Sequence, residues 1–165
     1  MKLIVRLILL AALGALALCS WDFFFPTPKK VIEKHLVKLA RLASFSSTDG
    51  NFKRLADTER IGSLLAPNIH VVLDVPGGRS QTFDNRAEVL QAVMAARSSV
   101  KDLQAQFTDL AINLSPDTQS AVALLTVKAK IGGEPDLLVE LLKFSFKNTN
   151  DDWLITGLET VKPLR

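Results

Sequence analysis

The sequence predicts an α+β fold in which helices cover one face of a single curved antiparallel sheet. Three observations carry this reading. The stretch from Gln119 to Lys162 alternates apolar and polar residues as three successive strands, the segments before it carry helical spacing, and an apolar N-terminal stretch stands apart from both. Of the 165 residues, about 140 remain for one domain after that stretch, enough to bury a core.

The C-terminal strands are the most legible. Ala121, Ala123, Leu125, Val127, Ala129 and Ile131 fall on one face, and the alternates Thr126, Lys128 and Lys130 are polar. That period of two marks a strand with one buried and one wet face. Gly132-Gly133-Glu134-Pro135 predicts a hairpin, because glycine tolerates unusual backbone angles and Pro135 cannot donate to a ladder. From Leu137 to Lys147, Leu142, Phe144 and Phe146 oppose Lys143, Ser145 and Lys147. Asn148 to Asp152 is a polar turn, and Trp153 to Val161 restarts the alternation with β-branched and aromatic residues. A fourth strand is predicted upstream, from Asp102 to Leu114. Its alternation slips between Phe107 and Leu110, which predicts a β-bulge and a bend in the sheet.

At the other end, Leu3 to Trp21 is apolar apart from Arg6. As a helix it would span about 28 Å, close to a bilayer's hydrocarbon thickness. Lys2 and Arg6 precede its most apolar part, so the N-terminus is expected in the cytoplasm and the rest across the membrane, with Trp21-Asp22-Phe23-Phe24-Phe25 at the far interface. Residues 1–25 therefore read as a signal anchor or signal peptide, and residues 26–165 as the domain. Three fates stay open: an uncleaved anchor, cleavage near Ala17 within Ala15-Leu16-Ala17, and lipidation at Cys19, against which Leu18 argues because that processing wants a small residue there. The expected location is the cell inner membrane, single-pass, with the C-terminal domain in the periplasm; cleavage would instead give a secreted or periplasmic protein.

Between these ends, Pro26-Thr27-Pro28 breaks the chain. Thr27 is placed to cap a helix whose first residue is Pro28. Ile32, Leu36, Leu39 and Ala43 form its buried stripe, while Lys29, Lys30, Lys34, Lys38 and Arg41 form a solvated face that could touch anionic lipid. Ser44 to Asn51 is a loop, and short helices are predicted over Phe52–Ala56 and Asp57–Ala66, stopped by Pro67. A short strand, Ile69 to Val75, turns at Pro76-Gly77-Gly78, and an edge piece follows around Ser80 to Phe83. Asn85 or Asp84 then caps a helix with the stripe Val89, Val93, Ala96 and Val100, and Glu88 completes a capping box if Asn85 is the cap.

Composition narrows the partners. The net charge of +3 includes Lys2 and Arg6, so the domain is barely basic and nucleic acid is not expected. Cys19 is the only cysteine, which leaves the domain without a disulfide. His35 and His70 stand far apart with no ligand-spaced cluster, so neither a metal site nor a cofactor is expected.

The order of elements, with Leu64-Leu65-Ala66-Pro67-Asn68 leading into His70-Val71-Val72-Leu73-Asp74 and a late Trp153-Leu154-Ile155 strand, resembles the nuclear transport factor 2-like superfamily, including its SnoaL-like branch. The resemblance covers roughly Pro28 to Lys162. It implies a cone, in which a curved antiparallel sheet wraps around a long N-terminal helix and leaves a pocket at its open end. The superfamily includes enzymes, ligand binders, dimerisation modules and membrane-tethered assembly proteins, so function has to come from the site.

The resemblance also implies a catalytic candidate. In the superfamily's ketosteroid isomerases an aspartate general base follows the first strand, just before a proline- and glycine-containing turn, and His70-Val71-Val72-Leu73-Asp74-Val75-Pro76-Gly77 is similar, which places Asp74 there. Burial in an apolar pocket would raise its basicity. Those isomerases polarise the substrate oxygen with a tyrosine and a protonated aspartic acid. This chain has no tyrosine, and Leu141-Leu142-Lys143-Phe144 stands where the acid belongs, which leaves Glu140 as an inward-pointing substitute. Further ligand-binding candidates are His70, on the strand face of Asp74; Arg79, beside two glycines and able to clamp an anion; and Phe144, Phe146 and Trp153 as apolar walls. Each also has a bland role as a turn, strand or core residue.

Two readings follow. One is a non-catalytic domain, tethered or exported, that binds a small apolar ligand or a protein partner outside the cytoplasm. A homodimer or an envelope protein would cover Val122, Leu124 and Leu154, apolar residues on a nominally wet face. The other is an isomerase, dehydratase or cyclase using Asp74 as general base on an apolar carbonyl substrate, which requires Asp74 to converge with Glu140 or His70 in one cavity.

Overall fold

The computed structural model describes residues 27–74, 80–150 and 152–161. The N-terminal stretch and Arg79 lie outside the described residues. Among those described, no helix is long and apolar enough to cross a membrane. The elements run α1 (Pro28–Ala43), α2 (Asn51–Gly62), β1 (Leu65–Leu73), β2 (Gln81–Phe83), α3 (Arg86–Ser99), β3 (Leu103–Leu114), β4 (Ser120–Ile131), β5 (Leu137–Thr149) and β6 (Asp152–Thr160). The strands form one six-stranded sheet in the order β2-β1-β6-β5-β4-β3.

Alternation sets the two faces of this sheet. Ala121, Ala123, Leu125 and Ala129 of β4, Phe144 and Phe146 of β5, and Trp153 and Ile155 of β6 are buried on the face that the helices cover. Register keeps them level, with Ala123 opposite Phe144 and Ala121 opposite Phe146. α1 crosses this face diagonally. Its His35 Nδ1 lies 3.0 Å from the Trp153 carbonyl. At its far end Phe45 exchanges two backbone hydrogen bonds with Leu103, each 2.9 Å, and Ile32, Leu36 and Leu42 are buried between. α3 packs against α2 and β1.

The bulge in β3 falls where the alternation slips. Pairing with β4 shifts register between Thr108 and Ala111, and Asp109 takes the left-handed backbone at φ 54°, so that inward residues resume on the same face after the extra residue. The capping box also forms. Glu88 N donates to Asn85 Oδ1 at 2.9 Å, and Glu88 Oε2 accepts from Asp84 N at 3.0 Å, one residue earlier than the standard box. Thr27 occupies its cap position without a side-chain hydrogen bond.

Three expectations are corrected. The two helices read over Phe52–Ala56 and Asp57–Ala66 are one helix, α2, ending at Gly62. Asp57, read as the start of the second helix, is a buried mid-helix carboxylate held by Lys53 and Arg60. β1 begins at Leu65, not Ile69, because Pro67 is accommodated within the strand: pairing with β6 skips from Leu65 to His70, where the missing N–H is not needed. Finally, β1 pairs with β6 in parallel. The sheet is therefore mixed rather than wholly antiparallel.

Candidate functional site: an apolar cavity under the sheet

A cavity of about 300 Å³ lies between the helices and the inner face of the sheet. The sheet contributes Val71, Phe107, Val127, Leu142, Phe144 and Leu158, and the helices contribute Leu39, Val89 and Val93. The space exists because four alanines from four elements converge on it: Ala43 of α1, Ala96 of α3, Ala105 of β3 and Ala129 of β4. Ala105 and Ala129 are cross-strand partners, so no long side chain spans that part of the sheet. Phe107 and Phe144 pack at 6.0 Å between ring centroids, tilted by 47°.

Among the described residues, one charged side chain joins this lining, Arg97 near the end of α3. It is only 4% exposed. Its guanidinium donates to the carbonyls of Arg54, at 2.9 Å, and Leu42, and lies 5.5 Å from the centroid of the Phe45 ring, a cation–π distance. Nε has no hydrogen-bond partner. Burial pulls its pKa below the ordinary arginine value, partly offset by the nearby Asp57 charge. The sequence held a signal for this residue: Arg97 stands four residues after Val93 and eight after Val89, in line with the apolar stripe of its helix.

The residues singled out from sequence scatter. Phe144 lines the cavity. Phe146 and Trp153 are buried in the adjoining core but do not line it. Glu140 is half-buried opposite Val127, one inward step beyond the cavity-lining Leu142. Asp74 follows the end of β1. Its backbone N–H donates to Thr160 Oγ1 at 3.2 Å, and its Oδ1 accepts from the Ser80 hydroxyl. His70 faces the other side of the sheet, 61% exposed, with Nδ1 2.6 Å from Asp84 Oδ1. There it borders a shallow hollow over Gly157, where an added Cβ would stand 3.3 Å from Ser145 Cβ and 3.6 Å from the His70 carbonyl. The described lining of the apolar cavity contains neither a carboxylate nor an imidazole, and among the described residues no group of three metal-ligating side chains is gathered.

Comparison with solved structures identifies the architecture. The chain has the nuclear transport factor 2-like fold. A nuclear transport factor 2-like protein of unknown function from Pseudomonas putida superposes with a TM-score of 0.63 at 10% identity, over 81% of this chain and 85% of that one. Another such protein, with a cystatin-like fold, from Novosphingobium aromaticivorans gives 0.59 at 13% identity, over 92% and 88%. A proposed dehydratase of the same family from Streptomyces avermitilis gives 0.60 at 18% identity, over 84% and 98%. No family model matches the sequence, and no curated protein matches it significantly. At these identities the likeness is one of fold.

Proposed function

We propose that this chain is a non-catalytic domain, tethered or exported, that holds a small apolar molecule in the cavity under its sheet. The observation that carries this reading is the lining: about 300 Å³ walled by carbon, with Arg97, the one charged side chain among its described lining residues, already donating to backbone carbonyls. Cavities of this size and character suit small apolar ligands. The location outside the cytoplasm is supported by residues 1–25, in which two bases precede a long apolar run. A catalytic version, with Asp74 acting on an apolar carbonyl compound, would need a base at the cavity wall. The bonds that Asp74 makes to Ser80 and Thr160 favour a structural part instead.

The test uses the full chain, purified in mild detergent and examined by native mass spectrometry beside Ala129→Leu. A bound apolar molecule is expected in the wild type and should be displaced by the larger side chain. A wild type that carries no such molecule and takes up no apolar fluorescent probe would sink the proposal. Protease accessibility of the domain in spheroplasts tests its location separately.

Partner binding rests on a different observation. At the start of β5, Leu137, Leu138, Val139 and Leu141 are all exposed, and Leu137, Leu138 and Val139 pair with β4 but have no counterpart in β6. An exposed apolar strand of this kind favours cover by another chain. Sedimentation of the wild type and Val139→Lys would show whether that cover is a second copy.

A further inference from the structure

Charge is unevenly shared along the chain. α1 carries five bases, Lys29, Lys30, Lys34, Lys38 and Arg41, against one acid, Glu33, a net of +4. The whole chain nets +3, of which residues 1–26 supply +1 through Lys2, Arg6 and Asp22, so everything outside these two segments sums to −2. The bases are also aligned. Lys30, Lys34, Val37 and Arg41 follow one another at spacings of four, three and four residues and so form one ridge. Each stands two residues before a member of the apolar stripe Ile32, Leu36, Leu39 and Ala43, and two residues turn the helix by about 200°. The ridge therefore points away from the sheet. All four of its side chains are exposed, Val37 at 63%.

Folding does not account for these charges. The first turn of α1 contains no acid, yet it holds Lys29 and Lys30, cations at the end of a helix where the backbone dipole disfavours them. Lys30 and Lys34, and Lys34 and Lys38, are like charges four residues apart, which destabilise a helix further. Elsewhere among the helices cations are engaged. Lys53 and Arg60 pair with Asp49 and Asp57. Arg54 and Arg97, which line a groove between α2 and α3, donate to backbone carbonyls. Among the described residues, Lys29, Lys34, Lys38 and Arg41 form no ion pair.

We propose, resting on the tethered reading of residues 1–25, that the outer ridge of α1 lies on the surface of an anionic phospholipid bilayer. What points to lipid is the place of the helix in the chain. Only Pro26 and Thr27 separate Pro28, its first residue, from the apolar stretch that ends at Phe25. A segment held in the bilayer thus delivers α1 to its surface. Long basic side chains reach phosphate headgroups from a helix lying along that surface, and each base contributes about fivefold to the partition. Val37 supplies the ridge with an apolar side chain for the acyl boundary. The net negative remainder of the domain is repelled by the same surface, so charge sets the orientation as well as the contact. The helices then face the membrane and the outer face of the sheet faces away from it.

The experiment places the full chain in vesicles of phosphatidylcholine, with or without an equal part of phosphatidylglycerol, after Cys19→Ser has removed its only cysteine. A polarity-sensitive fluorophore is attached at Val37→Cys, or at Gln106→Cys as a control. Gln106 is exposed and precedes the cavity-lining Phe107, so it lies on the outer face of the sheet. The expected result is a blue shift at position 37 in the phosphatidylglycerol vesicles alone, with none at position 106. That shift should be lost at about 1 M salt, where the Debye length falls to about 3 Å, and lost in Lys34→Glu/Arg41→Glu. The salt arm uses the unaltered ridge charges and so does not depend on how the charge-reversed chain folds. Vesicle-bound protein whose position 37 stays in water, shifts equally in neutral lipid, or shifts despite salt and charge reversal overturns the proposal and leaves the tether standing. Protein that floats with neither vesicle overturns both.

Discussion

The cavity under the sheet and the groove between α2 and α3 share Arg97 as a wall and differ in everything else. The cavity is made by subtraction: four alanines leave room among large apolar side chains. The groove is made by addition, with two arginines, hydroxyls and a helix N-terminus brought together by the crossing of two helices. Arg97 can serve both because its donors are spent on the carbonyls of Leu42 and Arg54 rather than on the cavity. Size alone therefore says little about what a hollow accepts. What decides is the chemistry of the side chains that line it.

Substitutions can break this contrast, beginning with the cavity wall. Phe144→Ala removes a fully buried ring that also packs on Phe107 and Phe146. A loss of about 3–5 kcal/mol is expected in denaturant unfolding, and a loss below about 1 kcal/mol would mean that the cavity collapses freely around the deletion. Arg97→Met keeps the length and deletes the charge. With the Leu42 carbonyl left unpaired, it should destabilise by about 1–3 kcal/mol. If it stabilises instead, burying the charge costs more than its hydrogen bonds to the Arg54 and Leu42 carbonyls return.

Smaller changes sharpen the contrast. Asp57→Asn weakens the bonds to Lys53 and Arg60; a modest loss of about 1 kcal/mol is expected in denaturant unfolding, with no change in apolar ligand. Ala129→Leu should abolish apolar binding with a stability change under about 1 kcal/mol, because the methyls enter open space. The smallest effect concerns pH. Hydrogen bonds from Ser47 N–H and the Ser46 hydroxyl hold Asp102 below the carboxylate value of 3.8. Its contribution is present above that value and lost as pH falls through the lowered one. Asp102→Asn should therefore flatten the acid limb of a stability–pH curve while leaving neutral pH little altered.

The strands were legible because a sheet with one wet face writes its orientation residue by residue. Even the bulge at Asp109 showed as a slip in that alternation, and the helix start at Asn85 showed because its cap and Glu88 lie three residues apart. Long-range relations left weaker marks. Asp57 reads as the start of a new helix when taken locally, and only the approach of Lys53 and Arg60 explains it within one. Pro67 reads as a helix stop, although a ladder whose pairing skips from Leu65 to His70 can pass over it. Nothing local to β1 or β6 announces that they run parallel.

The candidate site was harder still. Cavities arise from absent atoms, and alanines spaced across four elements carry no shared pattern. The conspicuous polar residues, His70, Asp74 and Glu140, are distributed over opposite faces and ends of the sheet. Arg97 was within reach, since a charge in an apolar stripe is a local anomaly.

The position of β6 has a consequence for how the domain reaches its folded state. Although latest of the strands in chain order, it lies inside the sheet, flanked by β1 and β5. Until it emerges from the ribosome, β1 has no neighbour on that side and the β3-β4-β5 meander has no bond to the helices' own strand. Contacts so distant in sequence form slowly, and a domain whose closing piece arrives late stays open through most of its synthesis.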